Sequence, residues 1–355
     1  MLDHLRSRHV AAAVTLALLL GAATILAQAP AEGEAAVERP PFATWLDDLR
    51  AEALDRGISQ KTVDVALTAI DPVETVLHRD RSQAEFTLSL DGYLKRRLTT
   101  PTVRLARREA TRSRTLLRRV SAVYGVDPRI LVSVWGLESN FGRFAGVRPT
   151  VPVLATLAWD GRRSEFFRQQ LFDALTIVDR GDIEFARLKW SWAGALGQVQ
   201  FMPSSYLAWA VDFDKDGDRD VWNSLPDVFG SIANYLEQHG WTEGRWGYAV
   251  TVPEAAQETV LSVPMRETGC RAARGLTQPR SLKDWRTLGV KLESGQRVPA
   301  SAREASLLLI ENRAYLVTAN YEALLAYNCA HTYTCPRTRG RAGCAAARSR
   351  TSRAP

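Results

Sequence analysis

Asp127-Pro128-Arg129-Ile130-Leu-Val-Ser-Val-Trp-Gly-Leu-Glu138-Ser-Asn-Phe-Gly142 is the stretch on which the fold turns. Asp127 is a helix N-cap, and Pro128 takes the first helical position, where a missing N–H is no loss. Ile130 to Leu137 is almost wholly apolar, which buries the helix on most of its faces. Glu138 closes the run, and Ser139-Asn-Phe-Gly142 ends the helix. A carboxylate there lies at the negative end of the helix dipole and among apolar neighbours. Both effects disfavour its ionised form and raise its pKa. An acid kept protonated near neutral pH can donate to a leaving oxygen. An ordinary surface glutamate at a helix end is the plain alternative, and this segment alone does not decide between them.

Upstream, Phe42 to Arg119 is helical in pattern. Phe42, Trp45, Leu46 and Leu49 recur at three- and four-residue steps, as do Val63, Ala66, Leu67 and Ile70, and Asp71-Pro72 stops the second helix. Lys95 to Arg119 carries ten basic residues and one acid, Glu109, which reads first as a solvated helix face and second as a surface for an anionic polymer. No convincing alternation precedes residue 250. Tyr248–Val252, Thr259–Val263 and Val290–Leu292 read as short strands, and Leu307–Asn328 as an apolar stretch ending in a helix. The expected class is mainly α (α+β): a helical region over 42–119, a core over about 120–250 and a mixed, β-containing part over 251–333.

The chain's formal charge of +7 comes from its ends. Thr334 to Pro355 holds six arginines and no acid, and the first 29 residues hold Arg6 and Arg8 against Asp3. What remains carries 38 basic and 38 acidic residues, so the net charge is no argument for a nucleic-acid partner. At the N-terminus, Arg6 and Arg8 precede an apolar run from Val10 to Leu26, followed by Ala27-Gln28-Ala29. This is the plan of a secretory signal peptide over 1–29, cleaved near Ala29. A membrane anchor is the alternative, but the run sits at the short limit for spanning. Pro30 to Pro41 reads as a linker. In an oxidising compartment Cys270 and Cys329, both in sequence that looks folded, are the expected bridge, and two free thiols stay open.

Glycoside hydrolysis usually needs two carboxylates. Asp160, Glu165 and Asp173 follow Glu138, but each has polar or charged neighbours and reads as exposed. One acid suffices when the substrate supplies its own nucleophile.

Several segments carry a resemblance. Val134-Trp-Gly-Leu-Glu138-Ser-Asn-Phe-Gly142, Ser191-Trp-Ala-Gly-Ala-Leu-Gly-Gln-Val-Gln200-Phe-Met-Pro-Ser-Ser-Tyr206, Ser231-Ile-Ala-Asn-Tyr235 through His239-Gly-Trp241, and Tyr327-Asn328 stand in order. Together they resemble the membrane-bound lytic murein transglycosylase B family, from about Phe42 to Tyr333. The resemblance implies a lysozyme-like catalytic core. It also implies cleavage of the β-1,4 bond between N-acetylmuramic acid and N-acetylglucosamine without water, leaving a 1,6-anhydro ring. Glu138 would act as acid and then as base, with no cofactor for catalysis. By the same resemblance Ser191, Gln200 and Phe201 contact sugar, Arg162 and Arg163 reach peptide or lactyl carboxylates, Tyr235 lines the cleft, and Tyr327, Asn328 and Tyr333 form its last wall. Phe166 stands where a tyrosine is implied, and core packing is the expectation for its ring.

Asp212-Phe-Asp214-Lys-Asp216-Gly217-Asp218-Arg-Asp220-Val-Trp-Asn223 matches a calcium loop, with oxygen ligands at alternate positions and glycine at the sharp turn. Its twelfth position is Asn223 rather than Glu. The resemblance implies that a later aspartate supplies the last ligand. The expected set is Asp212, Asp214, Asp216, Asp218 and Asp227 around a structural Ca2+, against an acidic turn without metal.

Beyond Tyr333 the resemblance implies an apolar helix, whereas residues 334–355 are basic, without apolar period, and read as disordered, which points to a changed reading frame or a replaced helix, with a natural basic tail that touches the anionic wall as the alternative. The function expected is that of an exported, periplasmic murein transglycosylase. Its partner is the peptidoglycan glycan strand, with no nucleic acid, no stable membrane anchor, and other cell-wall enzymes as possible associates. A lysozyme-type hydrolase and a non-catalytic wall-binding protein are the alternatives.

Overall fold

The computed structural model describes residues 39–81, 89–144, 146, 148–161 and 163–334. The signal-peptide reading over 1–29, most of the linker, Arg162 and the tail from residue 335 lie outside them. The chain divides into Met1–Glu38 and Arg39–Pro355, and the described residues all belong to the second unit.

Six helices open this unit: α1 (Phe42–Asp55), α2 (Gln60–Leu67), α3 (Glu74–Arg81), α4 (Leu90–Arg97), α5 (Thr100–Arg112) and α6 (Arg114–Tyr124). Short polar residues start three of them. The side chains of Ser59, Ser89 and Thr99 accept from the backbone N–H of Thr62, Gly92 and Thr102, which satisfies donors that a helix start leaves open. The apolar spacing seen in the sequence is the buried face: Leu46, Leu49 and Ala53 in α1, and Val63, Ala66 and Leu67 in α2.

The middle of the unit is α7 (Pro128–Ser139), α8 (Thr150–Trp159), α9 (Ser164–Asp179), α10 (Pro203–Trp209) and α11 (Leu225–Gln238). Strands β1 (Arg148–Pro149) and β2 (Lys189–Trp190), two residues each, pair antiparallel within it. α8 is buried from Thr150 to Ala158 at all but one position, as its apolar sequence demands. One continuous hydrophobic core runs from α1 through these helices to the end of the chain's last long helix.

The C-terminal part is β3 (Gly247–Thr251), α12 (Glu254–Leu261), β4 (Arg280–Ser281), α13 (Leu282–Thr287), β5 (Lys291–Leu292), β6 (Glu304–Ile310), β7 (Arg313–Val317), α14 (Ala319–Tyr327) and α15 (His331–Thr334). Its sheet is antiparallel in the order β4-β6-β7-β3-β5. A second, smaller core sits against it. There Trp285 is fully buried with Val260, Leu307 and Leu316, and its indole N–H donates to the Ala305 carbonyl at 2.7 Å. The segment read as a strand over 259–263 is instead largely helix. Ala256 and Val260 are its buried residues, four apart, so the helical period wins over the β-branched content. Cys270 and Cys329 form a disulfide with Cα atoms 6.2 Å apart. Thr334, read as the first residue of the tail, ends α15 and is buried.

Candidate active site

α7 begins as its sequence dictates: the Asp127 carboxylate accepts from Arg129 N–H at 2.8 Å, and Pro128 holds the first turn. It ends abruptly. Asn140, Phe141 and Gly142 all take left-handed φ, at 51°, 60° and 71°. Ser139 is fully buried; its hydroxyl donates to the Trp135 carbonyl and accepts from Gly142 N–H, both at 3.0 Å. The chain therefore turns back two residues after Glu138, leaving that half-buried side chain at the end of an apolar rod. The turn folds Phe141 under the helix, edge-on to Trp135 with ring centroids 5.4 Å apart. Gly136 makes this possible, since a Cβ there would lie 2.5 Å from the Phe141 ring.

A second segment is locked to this helix. The Trp135 indole N–H donates to Gln198 Oε1 at 2.7 Å, and Gln198 Nε2 donates to the Trp222 carbonyl at 2.7 Å. The backbone N–H of Gln198 donates to Val221 O at 2.9 Å. Sequence reasoning passed over Gln198 for Gln200. The available signal was a lone amide inside Ala195-Leu-Gly-Gln-Val199, which needs buried partners. Gly142 fits beside it: a Cβ there would lie 2.3 Å from Gln198 Oε1. Gly142→Ala is expected to lower unfolding stability by about 1–3 kcal/mol, read from denaturant unfolding at constant m-value. An unchanged midpoint would mean that this lock is loose.

The aromatic residues singled out in the sequence come together as one wall. Phe201 is buried, 5.3 Å from the Tyr235 ring and 5.8 Å from the Tyr327 ring, and Tyr235 lies 4.8 Å from Tyr327. The Tyr235 hydroxyl donates to Ala326 O at 2.8 Å and the Tyr327 hydroxyl to Val199 O at 2.6 Å. Both hydroxyls thus hold backbone, and the rings shape the wall. Burial pushes Tyr235 up to about 12. Burial first, and then the Glu138 charge, push Tyr327 and Tyr333 well above the usual tyrosine range. The buried Tyr333 hydroxyl has no well-formed hydrogen bond, and Glu138 is the acceptor that faces it. Among the described residues, Glu138 is the carboxylate whose charge bears on these two phenols.

Other expected residues have mixed fates. The Ser191 hydroxyl accepts from Ala195 N–H at 2.8 Å and Ala193 N–H at 3.3 Å, so it builds the turn before the cleft segment. Gln200 takes a left-handed φ of 54° and donates to Gly197 O at 3.0 Å. Asn328 is exposed at the end of α14. Arg163 pairs with the buried Asp80 and lies over the Phe167 ring, so its guanidinium is already engaged rather than held free for a carboxylate. Phe166 is 47% exposed, contrary to the expected core packing, because α9 buries Phe167 in its place. Asp160 is not exposed either: its side chain is held by Arg39 at 2.7 Å. Glu165 is exposed, and Asp173 is half-buried and accepts from Gln169 at 2.9 Å.

In the acidic loop, Asp212, Asp214, Asp216 and Asp227 bring carboxylate oxygens within 4.8 Å of one another. Backbone N–H groups of Lys215 and Gly217 donate to Asp212, and those of Phe213 and Asp220 to Asp227. Asp218 falls outside this cluster. It occupies the seventh loop position, which contributes a backbone carbonyl rather than a carboxylate in loops of this type. Asp227 is fully buried, and burial and then the Asp214 and Asp212 charges raise its pKa to about 6, after allowance for its two backbone donors. Four converging carboxylates, one without solvent, fit a hard divalent cation of the calcium type.

A mainly helical unit with a small antiparallel sheet is the architecture of lysozyme-like lytic transglycosylase domains. Residues 41–336 match the Transglycosylase SLT domain, and the chain belongs to that family. Over 129 residues it is 43% identical to membrane-bound lytic murein transglycosylase B of Escherichia coli K12, a match covering 36% of each, so the aligned part spans about a third of that protein's length. Pseudomonas aeruginosa SltB3 in complex with NAG-anhNAM-pentapeptide superposes with a TM-score of 0.75 at 37% identity, over 82% of this chain and 76% of that one. Escherichia coli lytic transglycosylase Slt35 in complex with calcium superposes with a TM-score of 0.67 at 26% identity, over 84% and 90%.

Proposed function

We propose that this protein cleaves the glycan strands of peptidoglycan non-hydrolytically, with Glu138 as acid and then base. The observation that carries this is Glu138 itself, half-buried at the end of α7 and faced by Tyr333. Glu138 donates its proton to the glycosidic oxygen between N-acetylmuramic acid and N-acetylglucosamine as that bond breaks. The substrate's acetamido group stabilises the cationic sugar carbon, so the scheme needs no second carboxylate. Glu138, now a base, takes the proton of the muramoyl 6-hydroxyl as its oxygen bonds to that carbon. The 1,6-anhydro ring closes and the acid is restored. The attack is intramolecular, so effective molarity replaces a bound water. Ser191, Gln200 and the Phe201–Tyr235–Tyr327 wall hold the sugars, with Asn328 at the exposed end. Similarity to SltB3, whose complexes contain NAG-anhNAM- and NAG-NAM-pentapeptide, supports the substrate class.

The N-terminal segment directs export, which places the enzyme in the periplasm with its substrate. Among the described residues no helix is long and apolar enough to cross a membrane. Digestion of purified murein sacculi tests the activity: soluble muropeptides are expected, and sacculi left intact would favour the non-catalytic wall-binding alternative.

Asp212, Asp214, Asp216 and Asp227 hold a calcium ion that stabilises the fold and takes no part in the chemistry. The ion would fix the loop that carries Val221 and Trp222, and through them Gln198 and Trp135 on the Glu138 helix. Chelation is expected to lower the melting temperature and calcium to restore it, by about 3 kcal/mol at a hundredfold excess over Kd. Asp214→Ala with Asp216→Ala should abolish that response; calcium stabilisation like the parent's would show that the site is wrongly placed.

A further inference from the structure

The basic run from Lys95 to Arg119 takes no part in the site described above. Its centre lies on α5, which packs against α7. Between them is a cavity of about 410 Å³, lined by Thr102, Arg104, Leu105, Arg108, Asn140 and Arg143 among others, with no carboxylate among the described residues of its wall. Asn140 is the residue that caps α7, two positions beyond Glu138, and Arg143 follows in the same turn. The cavity therefore opens where the helix carrying the reacting carboxylate ends. The other flank is continuous with the site as well: α15, which carries Tyr333, packs on α4, and α4 runs through Leu98 and Thr99 into α5.

The charges are not those of an ordinary solvated face. Such faces interleave acids with bases, whereas Glu109, the acid of this run, is buried. Arg104, Arg108 and Arg143 are exposed. Arg108 has a 3.3 Å contact with its neighbour Glu109. Arg104 and Arg143 have no side-chain partner among the described residues. Three guanidiniums on one concave surface repel one another until an anion lies between them. A guanidinium fork matches a carboxylate with two parallel hydrogen bonds.

We propose that the groove between α5 and the end of α7 binds the carboxylates of the peptide stems on the glycan strand lying across Glu138. This rests on the reading of the chain as a murein transglycosylase. It adds Arg104, Arg108 and Arg143 to the arginines that the resemblance implies for stem carboxylates.

The test uses the full chain, an Arg104→Gln/Arg143→Gln variant and two substrates: glycan strands with their stems, and strands stripped by an amidase. The double variant should lose at least about tenfold in kcat/KM on stemmed strands, through KM. It should match the parent on stripped strands and melt at the parent's temperature. Arg143→Lys, which keeps the charge without the fork, should recover part of the loss. Equal losses on both substrates, or none on stemmed strands, would overturn the proposal. A parent that cleaves neither substrate would refute the transglycosylase reading separately. The groove is then judged by sedimentation of the Glu138→Gln protein with sacculi: stems must increase retention, and the two arginine substitutions must remove that gain. Retention that is indifferent to stems overturns it. So does a double variant that loses binding to phosphatidylglycerol vesicles while cleaving stemmed strands normally, which would assign the groove to a lipid surface.

Discussion

Glu138→Gln is expected to reduce release of muropeptides from sacculi by about a thousandfold or more, with fold and substrate binding nearly intact. The amide is almost isosteric, so the buried face of α7, from Ile130 to Trp135, and the Ser139 turn keep their packing. It has no proton to give the leaving oxygen, and it cannot accept one from the 6-hydroxyl, so both halves of the reaction fail together. Asp160→Asn and Glu165→Gln should keep substantial activity. Asp160 is committed to Arg39 and Glu165 is solvated, so neither is held for chemistry. Turnover by Glu138→Gln near the parent's rate would remove the assignment, and loss of activity in Glu165→Gln would restore a two-carboxylate scheme.

Breaking the Cys270–Cys329 bridge should damage stability and turnover together. The bridge closes a loop with a sequence separation of 59, for which loop entropy predicts about 4 kcal/mol. It also ties the turn after Cys270 to the link between α14 and α15. Ala272 N–H donates to Cys329 Sγ at 3.3 Å, and His331 meets the Tyr321 hydroxyl at 2.8 Å through Nδ1. That link lies between Tyr327 and Tyr333, the two phenols that feel Glu138. Cys270→Ser/Cys329→Ser should therefore melt earlier and cleave more slowly than the parent, and reductant should have little further effect on it. Recovery of both thiols free in a non-reducing peptide map of the native protein would end this expectation.

The parts that could be read from sequence are those whose causes are local. α7 has its cap, its first-turn proline, its apolar run and its left-handed exit inside sixteen residues, so its bounds and the position of Glu138 follow from the chain alone. The acidic loop is similar in part: its spacing points to Asp212, Asp214 and Asp216, which do cluster, whereas Asp227 came only from the resemblance and Asp218, at a seventh position that serves through its backbone in such loops, falls outside the cluster. What could not be read depends on distant partners. Gln198 meets Trp135 across 63 residues, and nothing near Gln198 says so. Tyr235 and Tyr327 were singled out only through the resemblance, and nothing near them in the chain shows that their hydroxyls are spent on the carbonyls of Ala326 and Val199. Arg163 pairs with Asp80, 83 residues earlier, and nothing near either residue in the chain announces it. Thr259–Val263 shows the opposite error, in which local β-branched content suggested a strand and packing of Ala256 and Val260 onto the sheet made a helix.

The fate of the glycosidic bond separates a transglycosylase from a hydrolase. Purified sacculi digested in heavy-oxygen water, with products weighed by mass spectrometry, decide it in one measurement. If Glu138 hands the 6-hydroxyl proton on, the muramoyl ends are 1,6-anhydro, lighter by one water, and carry no label. Reducing ends that carry the heavy oxygen would show that water is the nucleophile, and the protein would then be a hydrolase of lysozyme type even with Glu138 as its acid.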